Sequence, residues 1–174
     1  MNEGDIVLFQ ERQSLTKAHP GVQIVLIACV VIAWYGFIQQ IVFGIPFGSK
    51  TSDEAMIFAW IIAGLGIPAL IQMTYLDTVV TPDELIFQYR PVHLSPRVIP
   101  KAAITSTHAD VYHPLATYSG WGISTRHGIT SYTIGGNQGV YVTYHTKRGK
   151  EKTILIGSQN ADALQQALQS SKKH

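Results

Sequence analysis

Seven histidines and one compact basic run are the residues that invite a chemical reading. HADVYH at 108–113 offers His108, Asp110 and His113, imidazole and carboxylate groups of the kind that bind transition metals. On an extended chain His108 and Asp110 share a face and His113 points the other way, so a metal site needs a bend there and further ligands such as His127 or His145. Surface or hydrogen-bonded histidines, with no metal or other cofactor, are the expectation. YSGWGISTRHG at 118–128 has the glycine density of a phosphate cradle. A dinucleotide fingerprint, however, needs GxGxxG between a strand and a helix. Here Gly120 and Gly122 are followed by Thr125 at the third glycine position, and by a strand pattern. GSKTS at 48–52 fails the P-loop spacing, with Ser49 ahead of Lys50 and no glycine five residues earlier. Lys147, Arg148 and Lys150 of KRGK read as a solvated hairpin tip, or as a contact for anionic lipid or an acidic partner. No GxSxG nucleophile motif is present. The chain is expected not to be an enzyme.

The elements that must position these residues follow from composition. Only 14% of residues are charged, against about 25% in a typical soluble domain. The deficit is local: residues 21–43 and 55–76 contain no Asp, Glu, Lys, Arg or His. A helix needs about 20 apolar residues to cross the hydrocarbon layer, so the sequence predicts a transmembrane hairpin over 21–75, with spans near 21–43 and 55–75. The first run starts too late, behind an acidic mixed segment, and is too long for a signal peptide. Cys29, the single cysteine, reads as a small packing residue. No ionisable group within the spans argues against a proton or ion path. No span carries a histidine for haem or chlorophyll, although His19 just ahead of the first is a candidate interfacial ligand. Ala55, Ala59, Ala63 and Gly66 form a small-residue face on the second span, with Ala28, Ala33 and Gly36 a looser counterpart on the first. That face suits hairpin packing or approach by a foreign helix. Pro68 is expected to kink the second span.

Twelve of the 13 lysines and arginines lie outside the loop between the spans, which holds only Lys50. The positive-inside rule then places both termini in the cytoplasm. The net charge of +2, with scattered basic residues, excludes nucleic acid as an expected partner. Residues 1–20 read as an N-terminal interfacial segment, its Ile6, Val7, Leu8 and Phe9 lying on the membrane or a partner.

From residue 76 the hydrophobic period becomes that of strands. VVT, TPDE and LIFQY read as strand, type I turn and strand. Alternation continues through ITSTHADVYH, GISTRHGITSYTI, VYVTYHT and TILIG, giving seven or eight strands in an antiparallel sandwich or barrel. Gly120 and Gly122 are read as the sharp entry to a central strand, with Trp121 packed on the barrel or its rim. Arg126 and His127 face a partner or water. SQNADALQQALQSSKKH ends the chain with one amphipathic helix: Ser158 is its expected N-cap, and Ala161, Leu164 and Leu168 are its apolar face. Lys172, Lys173 and His174 lie past its end, where the dipole favours cations.

Strands closed by one C-terminal helix resemble the pleckstrin-homology superfold. Three stretches, PLATYSGWGIS at 114–124, GNQGVYVTY at 136–144 and TILIGSQNADALQQAL at 153–168, resemble bacterial PH-like domains attached to one or two transmembrane helices, proteins described only as membrane proteins of unknown function. The resemblance covers 76–170 and marks 76–174 as a cytoplasmic PH-like domain with Gly120, Trp121 and Gly122 as fold markers. In that family GWGI commonly continues with arginine; Ser124 stands there in this chain and the next arginine is Arg126. The acidic TPDE turn is unlike the basic first hairpin of phosphoinositide-binding members. The expected function is a non-enzymatic, inner-membrane interaction subunit. It would be an accessory or stabilising part of a larger membrane complex, for example a respiratory or photosynthetic one, with other membrane subunits and membrane lipids as partners. The alternative is a membrane-anchored lipid- or ligand-sensing module.

Overall fold

A computed structural model describes residues 6–48, 51–114 and 120–170. Ser49 and Lys50 of the P-loop comparison, residues 115–119 of the family resemblance, and Lys172, Lys173 and His174 lie outside them. The chain divides into a helical unit, Leu15–Thr74, and a β unit that combines Met1–Ser14 with Tyr75–His174.

The β unit holds nine strands among the described residues: β1 Phe9–Ser14, β2 Tyr75–Val80, β3 Glu84–Arg90, β4 Arg97–Pro100, β5 Ile104–Val111, β6 Gly122–Arg126, β7 Ile129–Thr133, β8 Gln138–His145 and β9 Glu151–Gly157. They form two sheets, ordered β1-β2-β3-β4 and β5-β8-β9-β7-β6. The sheets are not closed on one another, so the barrel expectation is corrected to two open sheets. Nor is the unit wholly antiparallel, because β7 pairs parallel with β9.

Pleat parity explains the core. In the first sheet Leu76, Val80, Leu85, Phe87, Tyr89 and Ile99 share one face through the registers Leu76↔Tyr89, Val80↔Leu85 and Leu85↔Ile99, and all are buried. In the second, Val140↔Ile156 and Val142↔Ile154 do the same, and Tyr132 stands beside Ile156. Phe87 meets Tyr132 with ring centroids 5.0 Å apart, so these two faces look at each other. The opposite pleat of β9 is covered as well: buried Leu155 packs with Tyr112, Ile129 and Tyr141. Burial pushes the Tyr112 phenol up to about 12 against an opposing hydrogen bond with Thr133, which keeps it neutral.

Phe9–Ser14, placed by sequence within an interfacial segment, is an edge strand. It pairs antiparallel with β2 from Phe9↔Val80 to Ser14↔Tyr75. The whole helical unit is thus an insertion between two adjacent strands, and the chain leaves the sheet at Ser14 and returns to it at the paired Tyr75.

The helical unit begins with a short turn, α1 Leu15–Ala18. Two helices long and apolar enough to cross a membrane follow, α2 Pro20–Val42 and α3 Asp53–Met73. Pro20 starts α2, where its missing N–H is harmless. Ser52 caps α3 by accepting from the Ala55 amide at 3.3 Å, and Asp53 and Glu54 fill the first turn, where the helix dipole favours anions. Pro68 lacks the amide that would bond one turn back, and a π-helical stretch, Trp60–Gly66, runs up to its turn, with the Ile67 amide reaching Ile62 O. A second π-helical stretch, Ile38–Val42, ends α2. The helices meet through Trp60, stacked on Phe37 at 4.4 Å and edge-on to Trp34 at 5.2 Å. A Cβ on Gly64 would stand 3.0 Å from the Trp60 ring and 3.6 Å from Ala33. Near the end of α2, Gln40 donates to Thr51 O (3.0 Å) and Asp53 Oδ1 (2.8 Å) and accepts from the Phe47 amide, tying down the loop between the two helices.

The C-terminal helix is α4, Ala161–Gln169, with Ala161, Leu164 and Leu168 buried as its spacing predicts. Its N-cap is Asn160 rather than Ser158. Ser158 instead accepts from the Asn160 amide at 3.0 Å and donates to the Glu11 carboxylate on β1. That carboxylate also accepts from the Gln159 amide (2.9 Å) and from Gln13 Nε2 (2.8 Å). At the other end Lys101 donates to Ala167 O (2.8 Å) and Ser170 O (2.7 Å). An anion near the N-terminus and a cation at the C-terminus both suit the helix dipole.

Candidate functional site

The histidines of HADVYH do not converge. His108 Nε2 lies 4.0 Å from Asp110 Oδ2, both exposed on β5, and His113 is exposed beyond the strand. Among the described residues no three of His, Cys, Asp and Glu come together as a metal set.

The glycine-rich stretch is a strand entry. Gly120 and Gly122 adopt φ of +121° and +126°, conformations that L side chains rarely take. β6, which Gly122 opens, is the edge strand of its sheet rather than a central one. Trp121 is exposed, but its indole N–H donates to Gly136 O at 2.9 Å. GISTRHGITSYTI is not one strand: His127 and Gly128, at φ +52° and +80°, form a two-residue turn of the I′ kind between β6 and β7. Arg126 and His127 are therefore at a hairpin tip, and both are exposed. Lys147, Arg148 and Lys150 occupy a second tip, between β8 and β9, also exposed; the Gly149 amide donates to Thr146 O at 2.8 Å there.

On α3, Ala55 and Ala59 are exposed, and Ala63 and Gly66 are half-buried. The residues of α3 that bury are Met56 and Gly64. An apolar groove of about 410 Å³ runs between α2 and α3, lined by Val25, Leu26, Cys29, Ala63, Ile67 and Ile71. His19 is the half-buried residue preceding α2.

The structure assembles one further cluster at the sheet end where the chain departs. Arg12 pairs with Asp77 across β1 and β2, at 2.5 and 2.8 Å, and that bond and charge raise the guanidinium pKa. Tyr75 lies beside both Arg12 and Arg90, whose guanidinium carbons are 4.7 and 5.7 Å from its ring centroid. From Arg90 the chain enters the loop 91–96, whose Arg90–Pro91 bond is cis. His93 is buried and fixes the loop: its Nδ1 accepts from the Tyr89 amide at 3.2 Å, its own amide donates to Tyr89 O at 2.7 Å, and Gln88 Nε2 donates to its carbonyl at 2.9 Å. Its neighbours Val92 and Leu94 are 64% and 95% exposed. The sequence marks a turn at Ser95-Pro96 but singles out no site there, although RPVHLSPR carries a signal: two prolines and two arginines bracketing apolar residues.

Burial, and then the Arg97 charge, lower the His93 pKa below its ordinary 6.5. The folded chain holds the ring neutral, while the unfolded chain takes up a proton below 6.5. The stability His93 contributes is therefore complete above pH 6.5 and is lost as the pH falls below it. Urea midpoints of the full chain in detergent, recorded from about pH 8 to about pH 5, check this. The acid-side fall should flatten in His93→Asn; a fall unchanged by that substitution assigns the effect to another group.

No curated protein matches the chain. From residue 2 to residue 173, nearly its whole length, the chain fits a family model, and it belongs to DUF6141, a family of unknown function.

Proposed function

We propose that the chain is a non-enzymatic, membrane-anchored interaction subunit of a larger membrane assembly. The observation that carries this reading is the exposure of α2 and α3. Each contains a long, strongly apolar window, yet only 11% of that window is buried by the chain itself. Such surface calls for lipid, foreign helices or both. The exposed Ala55 and Ala59 on α3 favour a foreign helix at that face. A bacterial cytoplasmic membrane with the β unit on the cytoplasmic side is part of the reading, supported by the distribution of lysine and arginine. The register Ser14↔Tyr75 adds support, because a sheet that both receives and emits the hairpin requires an even number of crossings. A PH-like relationship of the β unit is supported by the order of strands followed by one helix. The parallel β7–β9 pair departs from it.

Extraction of the native chain in mild detergent, with crosslinking and mass spectrometry, tests the proposal. A defined set of co-purifying membrane proteins is expected. A monodisperse lone monomer that crosslinks to nothing overturns it.

A further inference from the structure

We infer that the loop 91–96 is a lipid-interface anchor: Val92 and Leu94 enter the headgroup–acyl boundary, and Arg90 and Arg97 contact anionic phosphates. The inference rests on the reading that α2 and α3 span a bilayer. Four observations converge on it.

Leu94 is 95% exposed, the most exposed large apolar residue among those described, and Val92 is 64% exposed. Their exposure is enforced, since His93 between them is anchored inward by three hydrogen bonds and by rings: Tyr132 at 5.3 Å and Phe87 at 6.2 Å. A fixed turn that holds two aliphatic side chains outward loses little conformational entropy on entering lipid.

The register sets where the loop emerges. Ser14 pairs with Tyr75, and Tyr75 pairs with Arg90. The residues by which the chain leaves and re-enters the sheet are therefore level with the first foot of the loop. Residues 91–96 thus follow β3 at the same end of the sheet at which Ser14 and Tyr75 connect covalently to the helical unit.

The charge matches. Between Glu84 and Asp110 the chain has Arg90, Arg97 and Lys101 and no acidic residue. Lys101 is occupied at the end of α4, which leaves the two arginines at the feet of the loop, both exposed. An aromatic ring flanked by arginines, as at Tyr75, is also the composition found at membrane–water boundaries.

The test uses the full chain in nanodiscs of phosphatidylcholine, with or without phosphatidylglycerol. In a Cys29→Ala background, an environment-sensitive fluorophore is placed in turn at Leu94→Cys, at Ile24→Cys on the exposed side of α2, and at Arg148→Cys on the β8–β9 tip. Quenching is read with nitroxides attached to the lipid. The Leu94 probe and the Ile24 probe, the latter about one turn into α2, are expected to be quenched by shallow nitroxides, and the Arg148 probe by neither shallow nor deep ones. Adding phosphatidylglycerol should strengthen the Leu94 signal. Arg90→Gln and Arg97→Gln should each weaken the docked-to-undocked ratio about fivefold in that lipid. If Ile24 is quenched and Leu94 is as wet as Arg148, the anchor is overturned while the membrane reading stands. If Ile24 is not quenched either, both fall. Leu94 quenching that ignores both the anionic lipid and the arginine substitutions overturns the phosphate contact.

Discussion

Glu11→Ala is expected to lower the stability of the β unit by about 3 kcal/mol. The carboxylate is the meeting point of three donors, the Ser158 hydroxyl, the Gln159 amide and the Gln13 side chain, and through them it fastens edge strand β1 to the start of α4. Ser158 and Gln13 are 3% exposed, so water cannot freely replace the lost acceptor, and buried donors left unsatisfied are the larger part of the cost. Glu11→Gln, which keeps one acceptor oxygen, should lose roughly half as much. Urea unfolding of the full chain in detergent, followed by near-ultraviolet circular dichroism, reads the effect. Combined with Ser158→Ala, the two losses should fall short of additivity by about 1 kcal/mol. Simple additivity would mean that the two groups do not act together.

Gly139→Ala should be comparably damaging, at about 3 kcal/mol, for a steric reason. An added Cβ would stand 2.6 Å from Ile156 O, 2.9 Å from Leu155 Cδ1 and 3.2 Å from Gly157 Cα. Two of these are backbone atoms of the neighbouring β9, held by the ladder that pairs Gly139 with Gly157 and Val140 with Ile156. They can yield only by opening the centre of the second sheet. Gly136→Ala is the control. Its φ of +75° strains an alanine, but no atom lies within 4 Å of the new methyl, so a loss of about 1 kcal/mol is expected. Equal losses at the two positions would show that β9 yields to the added methyl and would overturn the steric argument, since Gly139 itself has no positive φ.

The two apolar helices and the amphipathic α4 were legible in the sequence, because each depends on a repeat within one continuous segment: an unbroken apolar run for α2 and α3, and Ala161, Leu164 and Leu168 for α4. Strand β1 was not. Its inward positions hold Glu11 and Gln13, polar groups buried by a hydrogen-bond network, so FQERQS shows no apolar alternation. Its partner also lies some sixty residues away across the helical unit. The division into two open sheets is set at the 3-10 turn Lys101–Ala103, between β4 and β5, where nothing in the period changes. The parallel β7–β9 pairing is likewise non-local. The His127–Gly128 turn did leave a trace, since a bulky residue followed by glycine between alternating runs suits a I′ hairpin. The turn at Ser95-Pro96 was legible, but not a role for the loop 91–96, because that comes from the strands on either side: Val92 and Leu94 are unremarkable until the register puts them level with the departure of the chain.

The placement of β1 also dictates an order of assembly. The ribosome makes this strand before either span, yet its hydrogen-bonding edge has no partner until β2 emerges behind the second span. The first sheet therefore cannot be completed before both apolar helices have been synthesised. Loop-closure entropy grows only slowly with length, so the long insertion is a modest obstacle once the hairpin has brought its two ends together. On the proposed reading that α2 and α3 span a bilayer, membrane insertion becomes a checkpoint for folding: a chain whose second helix failed to return would strand β1 and β2 on opposite faces of the bilayer. The exposed strand edges that result are the kind of surface that quality-control proteases and chaperones recognise.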